Sequence, residues 1–444
     1  MGEQFGTSWG EVSIETGRTF GENGYVKVGK ILQKLVTKVS TPTTARIRCK
    51  QRPKKVITIS TGLIITISIN IDNNTFMRIE CSQEKLKEAV GLAERVSGKH
   101  MTLPVLSCLF FEADKNNTLT IRSTNLDLGI EVAIPAKVEE VGVVAIPAAT
   151  LASFVGGISE AGGRVAIETK DGNAKVRSAR SSGVIKTMPH DDFPTIPRVS
   201  SDNTFSLNAA EFVKGLKSVW YSSSVSSIKP ELSSVYVYCE DDSVVFVATD
   251  SFRLAEKRVK LKKNKDFGQI LIPYKNIPEI LRVLENVSEE VGVELDKNQI
   301  SFSYGGVYLV SRVIDGVFPD YKQIIPKQSV TEAVILKQDL INALKISNIF
   351  SDKFNQINIR IDPKAKKCEI RTKNSDVGEN LTVLDAVVTG EEIDINFNYK
   401  YIIDCFQSVD SDSVTLTFNG LHRPMIITPV SDNTFRYIVM PMNR

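Results

Sequence analysis

Few residues in this 444-residue sequence have the type and spacing to run a reaction. The three histidines, His100, His190 and His422, stand far apart, and none has a partner at metal-ligand spacing. The six cysteines are Cys49, Cys81, Cys108, Cys239, Cys368 and Cys405, with no pair at CxxC spacing. That scatter fits small buried side chains in a reduced, cytoplasmic protein rather than a zinc or disulfide framework. Asp191 and Asp192 are adjacent, so on a strand they point to opposite faces and share no metal. The serines of Ser222–Ser227 have no base beside them and read as a loop. A P-loop, a GxSxG elbow and an HExxH pair are all missing from the sequence. The expectation is a protein with no catalytic residues, no metal and no cofactor: one that binds rather than reacts.

The elements that would present a binding surface come next. Hydrophobic residues make up 42% and charged residues 24% of the chain, which suits several folded domains with real cores. The net charge is +3, yet residues 1–76 alone carry +6, so the remainder is slightly acidic. A nucleic-acid binder with that balance must gather its cations on one surface. The apolar run Val56–Ile71 has 16 residues and is broken by Thr58, Ser60, Gly62 and Asn70, too short and polar for a membrane span. The N-terminus lacks the basic start and apolar run of a signal peptide.

Residues 1–76 differ from the rest of the chain. They open Gly- and Glu-rich, pass through the basic run Arg46, Arg48, Lys50, Arg52, Lys54 and Lys55, and end in an Ile/Thr/Ser stretch. Two readings stand: a disordered basic arm that touches nucleic acid, or upstream sequence ahead of a true start at Met77.

From Met77 the chain repeats at roughly 120–130 residues. Each copy opens with a strand and an amphipathic helix: Gln83–Val96, Ala209–Tyr221 and Gln338–Phe350. Leu86, Ala89, Val90, Ala93 and Val96 mark the 3.6-residue stripe of the first. Matching strand–turn–strand segments follow at Leu119–Leu128, Val244–Leu254 and Cys368–Val377, then second helices at Pro147–Ile158, Pro273–Leu284 and Asn398–Val409. Each copy thus reads β-α-β-β-β-α-β-β-β, two helices on antiparallel sheet, an α+β fold. The expected domains are 77–200, 201–328 and 329–444. Three units in a row make an arc, and a head-to-tail homodimer of arcs closes a six-domain ring. Lysines and arginines recur on the helices' polar faces: Lys85, Arg95, Lys99, Lys214, Lys217, Lys275, Arg282, Lys345 and Lys400. They suit phosphate contacts that read no base. An open arc that binds DNA by charge alone is the alternative.

Several segments then point to a family. Thr102-Leu-Pro-Val-Leu, Ala248-Thr-Asp-Ser-Phe-Arg-Leu-Ala, Asp315-Gly-Val-Phe-Pro-Asp-Tyr and the terminal Tyr437-Ile-Val-Met-Pro-Met resemble bacterial DNA polymerase III beta sliding clamps, in order and with family spacing. The resemblance implies a homodimeric ring, placed on double-stranded DNA by a clamp loader and holding it topologically without reading sequence. It also implies a groove for the tails of the replicative DNA polymerase and other clamp-binding peptides, and no membrane partner. Carried over residue by residue, the groove's walls are Leu232, Thr249, Arg253, Leu254, Pro319, Ile324, Pro424, Val439, Met440, Pro441 and Met442, with Arg253 and Thr249 serving peptide polar groups. The implied DNA contacts are Lys99, His100, Tyr274 and Lys275, joined by Lys214, Lys217, Lys229 and Arg282. The implied subunit interface pairs edge strands of the first and third units, with Val184, Ile185, Ile357 and Ile359 as its apolar candidates. The chain departs from the family at Ser251-Phe252 (commonly Gly-His), Lys229 and Gln323 (frequently Arg) and Asn443 (frequently basic).

Overall fold

The computed structural model describes residues 76–98, 103–159, 162–200, 204–260, 267–326 and 328–442. The expectations for residues 1–75, Lys99 and His100 lie outside the described residues.

Three sets of elements succeed one another. The first is β1 (Arg78–Ser82), α1 (Gln83–Val96), β2 (Cys108–Ala113), β3 (Thr118–Thr124), β4 (Leu128–Glu140), β5 (Gly142–Pro147), α2 (Ala148–Gly157), β6 (Arg164–Lys170), β7 (Asn173–Arg177) and β8 (Ser182–Lys186). The second is β9 (Thr204–Asn208), α3 (Ala209–Val219), β10 (Ser234–Glu240), β11 (Ser243–Thr249), β12 (Arg253–Lys260), β13 (Gln269–Pro273), α4 (Ile277–Leu284), β14 (Glu290–Leu295), β15 (Gln299–Tyr304) and β16 (Val307–Arg312). The third is β17 (Thr331–Leu336), α5 (Lys337–Ile349), β18 (Gln356–Asp362), β19 (Lys367–Asn374), β20 (Gly378–Leu384), β21 (Ala386–Gly390), β22 (Ile393–Asn398), α6 (Tyr399–Asp404), β23 (Ser413–Phe418), β24 (Met425–Pro429) and β25 (Phe435–Val439). The first two sets have one strand more than the expected pattern and the third has two, because β5, β13 and β22 lead into the second helix and the third set also has β21. The third copy's second helix is shorter than expected: it tightens into a 3-10 turn at Cys405–Ser408.

The helices follow their stripes. Leu86, Ala89, Val90, Ala93 and Val96 of α1 are all buried, and each large apolar side chain so removed from water contributes about 1.5–3 kcal/mol. The Asn208 side chain caps α3 by accepting the Glu211 amide at 3.1 Å. Gly215 lets α3 lie close to the sheet, since a Cβ there would meet the Phe246 ring at 2.3 Å.

The repeat is visible down to turn chemistry. In the first unit Thr124 Oγ1 accepts the Leu126 amide at 3.0 Å, and Asn125 Oδ1 accepts the amides of Asp127 and Leu128 at 3.0 and 2.8 Å. In the second, Thr249 Oγ1 accepts the Ser251 amide at 3.1 Å, and Asp250 Oδ1 accepts those of Phe252 and Arg253, both at 2.9 Å. Leu126 and Ser251 both take φ +77°. These hydrogen bonds hold a left-handed residue without glycine, as Asx turns allow.

The units are sewn together by strands. β4 pairs with β16 of the next unit, from Leu128↔Ser311 to Val132↔Val307. β12 pairs with β25 of the unit after it, from Arg253↔Val439 to Lys257↔Phe435. The helices touch too: α1 contacts α4 across the first junction, and α3 contacts the 3-10 turn Cys405–Ser408 across the second.

Candidate functional site

Period-two alternation decides which side chains meet at the second junction. Directly opposed residues of an antiparallel pair share a face, so Leu254 and Ile438 lie together on one side of the β12–β25 seam. They join Val245, Val247, Leu271, Phe318, Tyr321 and Ile426 in an apolar cluster. The segment that links the second unit to the third crosses this cluster, seating Phe318 and Tyr321 in it. The same strap carries Pro319, which is exposed, and Ile324, 46% exposed. Beyond β25 the Met440 amide donates to the Phe252 carbonyl and the Met442 amide to that of Asn396, each at 2.8 Å. That fixes half-buried Met440, Pro441 and Met442 beside the junction. Leu232 and Pro424 are buried.

One expectation for this groove needs correction, and two residues carry internal bonds as well. Val439 is fully buried in the main core, not in the outer cluster; the residue that joins that cluster is Ile438, one step along the alternation. Arg253 is committed internally. Its Nε meets Asp250 Oδ2 at 3.0 Å, one terminal nitrogen pairs with Asp404, and the other donates to the Tyr221 carbonyl at 2.9 Å. Its guanidinium also lies 5.0 Å from the Tyr401 ring centroid. Thr249 Oγ1 donates to the Arg253 carbonyl at 2.7 Å, so it too is engaged. Arg253 thus ties the second unit to the third, and the Thr249 hydroxyl closes its own turn.

The first junction has the same register but a different filling. Gly129, opposite Val310, stands where Leu254 stands opposite Ile438. A Cβ on Gly129 would meet Ile196 at 2.9 Å. Ile196, Val199, Tyr308 and Val310 form a closed cluster there. The chain's own linker plugs this junction, whereas Val199's counterpart at the second, Ile324, is left exposed.

The candidate DNA contacts are surface cations, several of them paired. Lys214, Lys217, Lys229, Lys275 and Arg282 are exposed, and Tyr274 is half-buried. Lys217 pairs with Glu285, Lys275 with Asp127 at 2.6 Å and Arg282 with Glu279 at 2.7 Å. No ion pair within 4.0 Å among the described residues engages Lys214 or Lys229. Lys85, Lys87, Arg95 and Arg282 line one cleft of about 800 Å³ where α1 and α4 meet, with Glu88, Glu285 and Glu289 among them. The expected recurrence of cations on helix faces therefore brings two units' cations together.

The edge strands also differ from expectation. Ile357 and Ile359 are 1% and 0% exposed on β18, which pairs on both sides, with β19 and β22. They are core residues, because alternation marks a half-buried strand without saying whether it lies at an edge. The sheet's edges are β20, paired only with β19 among the described residues, and β22; β20 is the one with two large exposed apolar side chains. It carries Leu381 and Val383 at 56% and 53% exposure. On β8, paired with β7 alone among the described residues, Val184 is 64% exposed and Ile185 is buried.

Three family models match in chain order: the N-terminal domain of the DNA polymerase III beta subunit over residues 77–197, its central domain over 206–320 and its C-terminal domain over 322–443. The chain belongs to the DNA polymerase III beta subunit family. Relatives named beta sliding clamp include that of Synechococcus elongatus, 25% identical over 82% of this chain and 99% of its own. That of Escherichia coli K12 is 26% identical over 82% of this chain and all of its own. The beta subunit structure from Thermotoga maritima superposes with a TM-score of 0.78 at 24% identity, covering 83% of this chain and 100% of that one. In this beta-subunit chain the sequence reading missed Ile438, Phe318 and Tyr321. Counting alternation back from Met440 singles out Ile438; nothing in the sequence signals that the strap folds back over the sheet.

Proposed function

We propose that this chain works as a DNA sliding clamp: two copies join head to tail into a ring around duplex DNA, without catalysis, in the cytoplasm. The observation that carries the reading is a pair of strands, β8 and β20, each paired on one side only among the described residues, where their counterparts at the two junctions are paired on both sides. β4 and β12, counterparts of β20, are each closed by the last strand of the following unit. Among the described residues β20 pairs only with β19, and β8, the last strand of the first unit, only with β7. A second copy supplies each with its partner and covers Val184, Leu381 and Val383, removing two exposed edges per chain. The helix row then faces the hole, and Lys85, Arg95, Lys214 and Lys229 make loose phosphate contacts.

The groove over Leu254 and Ile438, walled by Pro319, Ile324 and Met440, takes the apolar tails of a replicative DNA polymerase, a clamp loader and other DNA-processing proteins. Flexible methionine at its edge suits varied Leu and Phe side chains.

Retention on DNA tests the ring. The protein is loaded onto nicked circular plasmid with a loader and ATP, half the sample is linearised, and both are passed through a sizing column in high salt. Protein that stays on circles and runs off linear molecules is topologically linked. Equal loss from both, or equal retention on both, favours an open arc that binds by charge.

A further inference from the structure

Glu256 is an anomaly in the groove's floor: a carboxylate 3% exposed on β12 beneath an apolar cluster. Its Oε2 accepts the Tyr321 hydroxyl at 2.6 Å, and Tyr238 and Tyr321 share a second hydrogen bond of 2.8 Å. The Tyr321 hydroxyl's proton goes to the carboxylate, so Tyr238 donates in turn to Tyr321. On the other side Glu256 Oε1 accepts from Arg258 Nε at 3.2 Å and lies 4.0 Å from Arg436 of the third unit. Arg258 reaches Glu240 at 2.7 Å, and Glu240 also pairs with Lys322, the residue after Tyr321. Burial and the Glu256 charge push the Tyr321 hydroxyl well above its ordinary value, so it remains a donor. A buried charge persists only where such partners hold it.

The first junction repeats the device. Glu131 occupies the register position of Glu256, fourth in its interdomain ladder, and is also buried. It is held by Arg122 at 3.1 Å and by Arg198 of the linker, whose guanidinium lies 4.0 Å from the Tyr308 ring centroid. At both junctions, then, a buried glutamate on the interdomain strand grips the linker that crosses it. At the first the linker plugs the seam; at the second it leaves Pro319 and Ile324 standing at the rim.

We infer that Glu256 is a positioning residue for peptide capture: through Tyr321 it fixes the strap so that Pro319 and Ile324 form a preset wall of the groove. This rests on the groove reading above. Without the anchor the strap loses its register on the sheet, and a peptide must order it on binding.

The test uses the full-length protein and a fluorescein-labelled hexapeptide ending in Leu-Ala-Leu-Phe, with affinity read by polarisation and the oligomer by light scattering. Glu256→Ala and Tyr321→Phe each weaken binding about tenfold, the order expected for one hydrogen bond to a charged group. The double variant is no weaker than either single one, because both remove the same link. Glu256→Gln, which keeps an acceptor for the Tyr321 hydroxyl, stays within about threefold of wild type. Oligomer mass is the same in all four. Wild-type affinity in both single variants overturns the inference, as do losses that multiply in the double variant or Glu256→Gln as weak as Glu256→Ala. Failure of wild type itself to bind refutes the groove reading instead.

Discussion

Replacing Asp432 by Asn probes the seam between the second and third units. Lys257, on β12, has a side chain only 4% exposed. Its Nζ meets Asp432 Oδ2 at 2.7 Å and Thr434 Oγ1 at 2.8 Å, both from the turn before β25. Partial burial alone would push the Asp432 carboxyl up; the hydrogen bonds from Lys257 and Thr434 outweigh it and hold the group at about 2, against an ordinary 3.8. That difference corresponds to roughly 2 kcal/mol, an upper figure because solvent reaches and screens this side chain. The larger effect lies with Lys257. Its ammonium stays buried without a counter-charge, and breaking a buried pair in this way costs about 3–5 kcal/mol. Asn retains a neutral acceptor, so we predict about 3 kcal/mol, or roughly 100-fold more frequent opening of the seam. Hydrogen exchange reads this directly at the Arg258 amide, which donates to the Thr434 carbonyl at 2.8 Å. The pH dependence has a fixed sign. A depressed carboxyl stabilises fully above its unfolded value and stops doing so as pH falls through its folded one. The stability gap between wild type and D432N in urea is therefore flat from pH 7 to about 5 and narrows between about 4 and 2. Unchanged protection at Arg258 at pH 7, or a gap that widens in acid, refutes the reasoning.

Other outcomes are equally specific. Leu381→Asp with Val383→Asp places charge on the β20 edge and yields a folded monomer by light scattering; a persistent dimer rejects that interface. Met440→Ala removes a half-buried groove side chain and weakens peptide binding roughly tenfold with oligomer mass unchanged, by polarisation titration. Lys214→Glu with Lys229→Glu lowers the magnitude of the salt slope of DNA binding by about two, measured on short duplexes without a loader. Residues Met77–Arg444 alone dimerise as the whole chain does, checked by light scattering.

The local sequence determined the elements and their order. The stripe of Leu86, Ala89, Val90, Ala93 and Val96 sets α1 because a 3.6-residue period places those side chains on one face. The Thr-Asx turns at Asn125 and Asp250 set two hairpins through hydrogen bonds spanning three residues. Family motifs added the groove's general address. Its faces were set by long-range pairing. Val439 and Ile438 are equally apolar neighbours, and only the β12–β25 register sends the first into the core and the second to the outer cluster. Ile357 and Ile359 alternate as an edge strand would, yet β19 and β22 enclose them. Nothing local to Arg253 signals that Asp404, 151 residues away in sequence, arrives beside its guanidinium. Nothing local to Glu256 signals that Tyr321, 65 residues on, folds over it. Periodicity fixes which way a side chain points from its own backbone; what it then meets depends on which distant strand arrives, and that is decided only when the sheets close.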